Sequence, residues 1–199
     1  MKSATPRRPY ELRARAQSAA ATGERILEAA IARFATEPYE DVSLDAVAAD
    51  AGVSTRTVIR RFGSKDELFV AADRLAGRRM LAQRDQAPVG DARAAVSIVV
   101  EHYEEWGDQR LLMLAQEHRI PAVREHTQAG RGYHRAWVER TFAPQLDALP
   151  ARERERRVLA LVAATDVYVW KLLRRDLGLS AAETLHVMET LVSSATGGH

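Results

Sequence analysis

A short basic stretch in the first half of the chain carries the residues whose chemistry is most informative. From Ser54 to Lys65 the sequence has no acid, and its cations are Arg56, Arg60, Arg61 and Lys65. Guanidinium groups pair with O6 and N7 of guanine, and both Arg and Lys bind phosphate. The stretch therefore indicates contact with a polyanion. Solvated surface charge is the ordinary alternative for one such run, so the surrounding elements must decide.

Helical geometry gives this stretch two different faces. Each residue advances about 100° around a helix, so Val58 and Phe62 share one face. Arg56 and Arg60 then lie on the opposite face, with Ile59 beside them. An aliphatic side chain can meet a thymine methyl group, while the arginines meet guanine. The pattern favours a short helix that packs inward on one side and reads DNA on the other.

The neighbouring residues predict the elements that position this helix. Ser43 is suited to cap a short helix, and Gly52 stands where such a helix closes through a left-handed residue. Ser54 is suited to cap the next helix, which Gly63 ends. Two short helices joined by a tight turn that contains Gly form a helix-turn-helix. A supporting helix is predicted to begin after Thr22, and the pattern S-x-x-E from Ser64 predicts a capping box that opens a later helix.

The same residues carry a resemblance to a known family. The stretch from Gly52 to Leu68, GVSTRTVIRRFGSKDEL, resembles the signature of the TetR family of bacterial transcriptional regulators. The resemblance extends from Thr22 to Leu68, about a quarter of the chain. Ile59 departs from the usual Tyr, and Arg61 stands where His or Tyr is common. The resemblance implies a homodimer with an N-terminal DNA-binding head and a C-terminal body that binds a small molecule.

From these observations we expect a set of DNA-binding residues in the helix-turn-helix. They are Ser43, Ser54, Thr55, Arg56, Thr57, Ile59, Arg60, Arg61 and Lys65. Arg56, Ile59 and Arg60 are assigned to base edges, whereas Arg61, Lys65 and the capping hydroxyls are assigned to phosphates. Residues 1–20 are predicted to form a flexible basic arm that adds DNA contacts. Its candidate contacts are Arg7, Arg8, Arg13 and Arg15, and incidental charge on a loose terminus is the alternative.

The whole sequence predicts an all-α fold of about nine helices, because apolar residues recur with helical spacing and hairpin turns are missing. We expect three regions: the arm over 1–20, the helix-turn-helix domain over 21–68, and an effector-binding and dimerisation domain over 69–199. A helix is expected to break at Gly107-Asp108. A continuous helix of about 25 residues is expected from Pro150 to Arg175.

The predicted C-terminal body gives weaker indications. Its aromatic and apolar side chains predict a pocket for a small apolar or aromatic effector, lined by Tyr103, Trp106, Met113, Tyr133, Trp137 and Trp170. Ordinary core packing is the alternative for each of them. Helices that bury two faces predict a dimer interface at Val162, Val169, Leu185, Met188 and Val192. Asp166 lies in an apolar stretch and is expected to pair with Arg135, Arg140 or an effector cation, or to lie at a rim.

Several protein classes are excluded by what the sequence lacks. The chain has no Cys, and no apolar run approaches the roughly 20 residues of a membrane span. We find no P-loop, G-x-S-x-G or metal-binding motif, so we expect neither an enzyme, nor a cofactor, nor a metal site. The prediction is a cytoplasmic, ligand-responsive repressor that binds an inverted-repeat operator. A constitutive DNA-binding regulator and a helical enzyme remain as alternatives.

Overall fold

The computed structural model describes residues 7–197, and the side chains of residues 17–197. This part of the chain is helical and contains no strand, so the all-α prediction is confirmed. The helices are α1 (Arg7–Thr36), α2 (Leu44–Asp50), α3 (Thr55–Phe62), α4 (Lys65–Arg84), α5 (Ala92–Gln116), α6 (Pro121–Thr141), α7 (Ala143–Leu146), α8 (Ala151–Ala164), α9 (Val167–Lys171) and α10 (Ala181–Thr196). One π-helical turn, Leu172–Asp176, follows α9 directly. None of the described helices is long and apolar enough to cross a membrane.

The chain folds as two compact units, the first ending at Ala76 and the second beginning at Gly77. The predicted boundary at residue 68 falls earlier, because α4 continues the core of the first unit beyond that point. Phe69, Ala72 and Ala76 of α4 are buried at helical spacing. They join a core that also contains Ile26, Ala30, Phe34, Tyr39, Val42, Val47, Ala48, Val58 and Leu68.

The start of α1 differs from the prediction. The helix begins at Arg7, and Thr22 lies inside it, where its hydroxyl donates to the carbonyl of Ser18 at 2.9 Å. Pro9 is compatible with this because the first helical turn needs no N–H donor there. Residues 7–20 are therefore helical, which corrects the expectation of a flexible arm. Residues 1–6, and the side chains of Arg7, Arg8, Arg13 and Arg15, lie outside the described part.

The second unit is built around a core shared by α5, α6, α8, α9 and α10. Its most enclosed side chains are large and apolar, which is what a helical core of this size requires. They include Val96, Val99, Trp137, Val138, Phe142, Leu146, Val158, Leu161, Trp170 and Met188.

The expected break at Gly107-Asp108 is wrong, because α5 passes through both residues without interruption. A Cβ atom at Gly107 would lie 2.4 Å from Cζ3 of Trp170. The glycine is thus required by the indole ring, which packs directly on the backbone of α5. In a sequence, a glycine that packing requires looks the same as a glycine that ends a helix.

The expected long helix from Pro150 to Arg175 is also divided. α8 ends at Ala164, and the hydroxyl of Thr165 donates to the carbonyl of Leu161 at 2.7 Å. Asp166 then caps α9, since its carboxylate accepts from the backbone N–H of Tyr168 at 2.9 Å. This capping role explains the carboxylate within an apolar stretch without either predicted arginine.

The two arginines after α9 hold α5 rather than ending a straight α-helix. Arg174 forms an ion pair with Glu104 at 2.7 Å, and Arg175 forms one with Asp108 at 2.8 Å. Trp170 lies between these pairs, because its indole N–H donates to Glu104 at 2.8 Å and the Arg175 guanidinium covers its ring. The π-helical turn brings both arginines to the same side as Trp170.

Candidate nucleic-acid interface and the centre of the second unit

The helix-turn-helix has the caps that the sequence predicts. Ser43 caps α2 by accepting from the N–H of Ala46 at 3.1 Å, and Ser54 caps α3 by accepting from the N–H of Thr57 at 3.3 Å. Gly52 closes α2 with a φ of +64°, a conformation that a side chain would strain. The N–H of Val53 then returns to the carbonyl of Ala48 at 2.9 Å. These local bonds fix the turn that aims α3.

The outward face of α3 carries the residues assigned to base edges. Arg56, Ile59 and Arg60 are exposed, whereas Val58 on the opposite face is completely buried. Ile59 leaves 48% of its surface in solvent, which is high for a large aliphatic side chain in a folded unit. An exposed aliphatic residue between two exposed arginines is the surface that major-groove reading requires.

The hydroxyl groups near the start of α3 are engaged within the motif. Thr55 donates to the carboxylate of Asp45, which joins α3 to α2. The hydroxyls of Ser54 and Thr57 lie 3.0 Å apart and share a hydrogen bond. Their oxygens still have acceptor capacity, and Ser43 and Ser54 remain exposed. These hydrogen bonds position the helix, and contact of the hydroxyls with phosphates stays a prediction.

Arg61 lies against α1. A Cβ atom at Gly23 would come within 2.2 Å of the Arg61 guanidinium, so the side chain occupies the space that this glycine leaves open. Gly23 is buried although it lies in the middle of a helix. The glycine therefore serves a packing role that composition alone does not reveal. Arg61 is held at the α1–α3 junction with its side chain still largely in solvent.

Lys65 has internal partners that the sequence did not predict. Its ammonium group donates to the carbonyl of Val42 at 2.8 Å and to that of Glu40 at 3.1 Å. The same group lies 4.7 Å from the centre of the Tyr39 ring, a cation–π distance. Lys65 thus ties the start of α4 to the loop before α2. Its phosphate contact stays a prediction, and only one ammonium N–H remains for it.

Two arginines of α1, which sequence reasoning missed, support the motif from behind. Arg25 donates to the carbonyl of Ala51 in the turn at 3.3 Å. Arg33 forms an ion pair with Asp50 at the end of α2 at 2.6 Å, and this hydrogen bond lowers the pKa of the Asp50 carboxyl. Arg25 and Arg33 are eight residues apart, an offset of about 80° around the helix, so their spacing alone gave no signal that both support the motif.

Comparisons with known proteins agree with this geometry. The sequence profile of the bacterial regulatory proteins, tetR family, matches residues 26–72, which include α2, α3 and the turn between them. The match covers the helix-turn-helix, so this part of the chain is similar to the tetR family of bacterial regulatory proteins. No curated protein matches the sequence.

Solved structures of regulators have the same fold as this chain over most of its length. A transcriptional regulator from Rhodococcus sp. Rha1 is 21% identical and superposes with a TM-score of 0.70, covering 88% of this chain and 96% of its own. A TetR-like transcriptional regulator from Rhodococcus sp. RHA1 is 20% identical, with a TM-score of 0.66 and coverages of 89% and 97%. A transcriptional regulator from Saccharomonospora viridis, solved in complex with choline, is 20% identical, with a TM-score of 0.61 and coverages of 86% and 95%.

The predicted effector-pocket residues are mainly buried in the second unit. Trp137 and Trp170 are fully enclosed, and Tyr103 and Met113 are buried. The polar atoms of these aromatic residues are satisfied internally: the indole of Trp137 donates to the carbonyl of Arg84 at 3.0 Å and the hydroxyl of Tyr103 donates to that of Thr165 at 3.0 Å. Trp106 and Tyr133 are half-buried. Most of this set therefore packs in the core, and its assignment to an effector pocket stays a prediction.

A groove of about 550 Å³ lies between α5 and the start of α10. Its lining contains none of the six predicted pocket residues. One side is polar, and the other side is formed by small or branched apolar residues. The lining residues are Gln83, Ser97, Val100, Glu101, Glu104, Glu105, Ala181, Ala182 and Leu185.

A polar cluster at the centre of the second unit was also missed from the sequence. Arg84, at the end of α4, is only 4% exposed, and its Nη2 donates to Nδ1 of His134 at 2.8 Å. His134 can then donate from Nε2 to the carbonyl of Val162 at 3.2 Å. Burial, and then the charge of Arg84, lowers the pKa of His134 to about 4. The same causes lower the pKa of His102 to about 3, so both rings are neutral.

The sequence contained a signal for Arg84. Phe69, Ala72, Ala76 and Met80 are buried along one stripe of α4, and the next position of that stripe is Arg84. A cation that continues an apolar stripe is a candidate for burial.

The predicted dimer-interface residues point mostly into the core. Met188 and Val192 are buried within the single chain, and Val162, Val169 and Leu185 pack partly against the same core. Met188 and Val192 are therefore unsuited to meet a partner. The exposed large apolar residues on these helices are instead Leu159 of α8 and Leu191 of α10.

A metal site is not formed within the described residues. The residues that the structure describes contain no group of three or more His, Asp or Glu side chains arranged to hold a metal ion. His118, which lies just before α6, is exposed, whereas His134 within α6 is buried. The two histidines therefore face different ways.

Proposed function

We propose that the chain is a dimeric, sequence-specific repressor that leaves its operator when a small molecule binds. The observation that carries the proposal is the exposed face of α3, where Arg56, Ile59 and Arg60 stand opposite the buried Val58. A capped helix with an apolar inner face and a basic outer face is suited to enter the major groove of DNA. The match to the family of bacterial regulatory proteins supports this use of the surface.

In the proposed complex, the residues of the motif divide between bases and phosphates. Arg56 and Arg60 each pair with a guanine, and Ile59 contacts a thymine methyl group. Arg61, Lys65, Thr55, Thr57 and the caps Ser43 and Ser54 contact phosphates or position the helix. The N-terminal arginines Arg7, Arg8, Arg13 and Arg15 add phosphate or minor-groove contacts. Because residues 7–20 are helical, we now place this contribution on the first turns of α1.

Dimerisation is assigned to the exposed faces of α8 and α10. Leu159 is 53% exposed and Leu191 is 41% exposed. Two copies that pack these faces together form a four-helix contact across a two-fold axis, which covers both side chains. A two-fold dimer reads two half-sites, and its operator is therefore an inverted repeat.

Release by an effector is proposed for the second unit. A regulator of the same fold binds choline, which supports small-molecule binding by this helical architecture. α4 is placed to transmit the event, because it starts directly after α3 and ends at Arg84 among the residues of the second unit.

A second function is favoured by one observation. The predicted aromatic pocket residues fill the core of the second unit, and a filled core is expected of a constitutive DNA-binding regulator that has no effector. The two functions make the same prediction for DNA and differ only in whether a small molecule changes the affinity.

Footprinting of the purified chain on the promoters next to its own gene tests the proposal. We expect protection of an inverted repeat, because the dimer presents two copies of α3. A matched protein with both Arg56→Ala and Arg60→Ala should give no discrete footprint. Uniform protection of unrelated DNA by both proteins would contradict sequence-specific regulation.

A further inference from the structure

Arg84 is a buried cation without a buried anion. Its side chain is 4% exposed, and its Nε atom is enclosed without a hydrogen-bond partner. Elsewhere on the guanidinium, Nη2 donates to the neutral ring of His134, and the hydroxyl of Tyr103 is a further hydrogen-bonding neighbour. The guanidinium also lies 4.2 Å from the centre of the Trp137 ring and 5.9 Å from that of Tyr133. No Asp or Glu among these residues forms an ion pair with it.

Such an arrangement is unfavourable in the folded protein by itself. A guanidinium has five N–H donors, and removing its charge from water is costly unless an anion and hydrogen bonds replace the water. Stacking on Trp137 compensates only in part. Replacement of a buried ion pair by apolar residues of similar volume often leaves stability unchanged or raises it, and Arg84 has no ion-pair partner that its replacement would leave behind. A purely structural role therefore gives little reason for an arginine here.

The neighbouring groups do not neutralise the charge of Arg84, and one of them adds to it. His134 and His102 are both held neutral. Arg110 of α5 raises the local potential further, since it is close enough to act on the charges of His102 and Tyr103. Asp166 acts on Tyr103 from α9, but its carboxylate is used to cap that helix. A free donor edge in a positive, partly aromatic environment is complementary to a carboxylate.

We propose that Arg84 binds the carboxylate group of a small effector, whose apolar or aromatic part packs beside the half-buried ring of Tyr133. This inference rests on the proposed function, since it names the chemical class of its effector. The planar fork of the guanidinium matches the two carboxylate oxygens, and Nε–H is one of the two donors on that edge. The ligand provides the negative charge that no Asp or Glu of the described residues provides to Arg84. Neutral and cationic analogues of the same shape lack this attraction.

Thermal unfolding of the purified full chain tests the proposal. The probes are benzoate, phenylacetate and octanoate, with benzamide and benzyltrimethylammonium as neutral and cationic counterparts at the same ionic strength. We expect the carboxylates to raise the Tm of the wild-type protein by a few degrees, because a ligand that binds only the folded state stabilises it. The counterparts should leave the Tm unchanged. The tryptophan fluorescence of the chain, to which Trp106, Trp137 and Trp170 all contribute, should change in the same titrations.

Variants at Arg84 separate ligand binding from a structural role. Arg84→Met and Arg84→Gln should weaken carboxylate binding at least tenfold, and Arg84→Met without ligand should unfold at the wild-type Tm or above it. Arg84→Lys should retain part of the response. The control Arg131→Gln removes an exposed arginine of α6 that bonds to Glu117, and it should respond like the wild type. A structural arginine would instead lower the Tm of both Arg84→Met and Arg84→Gln.

Three results would overturn the proposal. They are failure of all three carboxylates to bind the wild-type chain, equal binding to Arg84→Met, and a lower Tm of ligand-free Arg84→Met. Footprinting on the operator is performed with the same preparations. Specific DNA binding without a carboxylate response rejects this inference alone, whereas loss of specific DNA binding in the wild type rejects the proposed function.

Discussion

Lys65 and Arg60 belong to one basic stretch of sequence, but their surroundings give them different roles. Arg60 stands in solvent on the outer face of α3, whereas the ammonium of Lys65 binds two carbonyls and covers Tyr39. Residue type and spacing alone do not distinguish them, because both are cations next to the turn. The three-dimensional position of the α1–α2 loop makes the difference.

Lys65→Met is expected to destabilise the first unit. The two carbonyls of the loop lose a charged donor, which costs about 1–3 kcal/mol in unfolding free energy. Arg74→Ala is the matched control, since it removes an exposed cation of the same helix. Urea unfolding measures both. The remaining ammonium N–H is assigned to a phosphate, so we expect the slope of DNA binding against salt to fall by about one in Lys65→Met, and an unchanged slope would reject that contact.

The low pKa of His134 predicts how stability depends on pH. The folded protein keeps this ring neutral down to about pH 4, whereas the unfolded chain takes up a proton below about pH 6.5. The unfolding free energy should therefore fall as the pH decreases through this interval, by about 1.4 kcal/mol per pH unit for one such group. His134→Gln should lower the slope of the unfolding free energy against pH by the contribution of one proton. His118→Gln, an exposed control, should leave the slope unchanged. Equal slopes in all three proteins would contradict a neutral buried His134.

At the scale of helices, the sequence predicted the elements whose ends have their own local chemistry. Ser43, Ser54 and Gly52 act within a few residues of themselves, so the helix-turn-helix could be predicted with its caps and its outward face. The start of α1 was missed, because Pro9 is tolerated in a first turn as well as in a loop. Gly107 and Asp166 were misinterpreted for a related reason. Their roles depend on Trp170 and on the start of α9, which a pattern along the chain does not contain.

Gly107→Ala should destabilise the second unit although alanine favours helices. The added Cβ would lie 2.4 Å from the Trp170 ring, and such overpacking typically costs about 1–3 kcal/mol. Gly132→Ala is the control, because it lies in α6 with open space around it. There the substitution should stabilise the protein by up to about 1 kcal/mol. Thermal unfolding compares the two, and a Gly107→Ala protein as stable as Gly132→Ala would contradict the packing.

At the scale of the whole molecule, the proposed assembly depends on which apolar residues the fold leaves uncovered. The sequence indicated that α8 and α10 bury more than one face, but it did not separate inward from outward residues. Met188 and Val192 proved to be core, and Leu159 remained exposed. Which residues of these helices face outward depends on where α8 ends. The sequence did not predict the break before Asp166.

Leu159→Glu is expected to dissociate the proposed dimer, because two carboxylates would face each other near the two-fold axis. Val89→Glu is the control, since Val89 is 60% exposed and lies in the loop after α4. Analytical ultracentrifugation at micromolar concentration should show a dimer for the wild type and for Val89→Glu. A monomeric wild type, or a dimeric Leu159→Glu, would reject α8 as the interface.

The central claim, sequence-specific DNA reading by α3, is tested most directly by equilibrium binding of the full chain to its footprinted operator and to a scrambled duplex. Arg60→Ala and Arg74→Ala are compared, because each removes one exposed cation from the first unit. We predict that Arg60→Ala lowers the preference for the operator by about 1–3 kcal/mol, whereas Arg74→Ala leaves it unchanged. Equal affinity of the wild-type chain for both duplexes, or an unchanged preference in Arg60→Ala, would contradict the account.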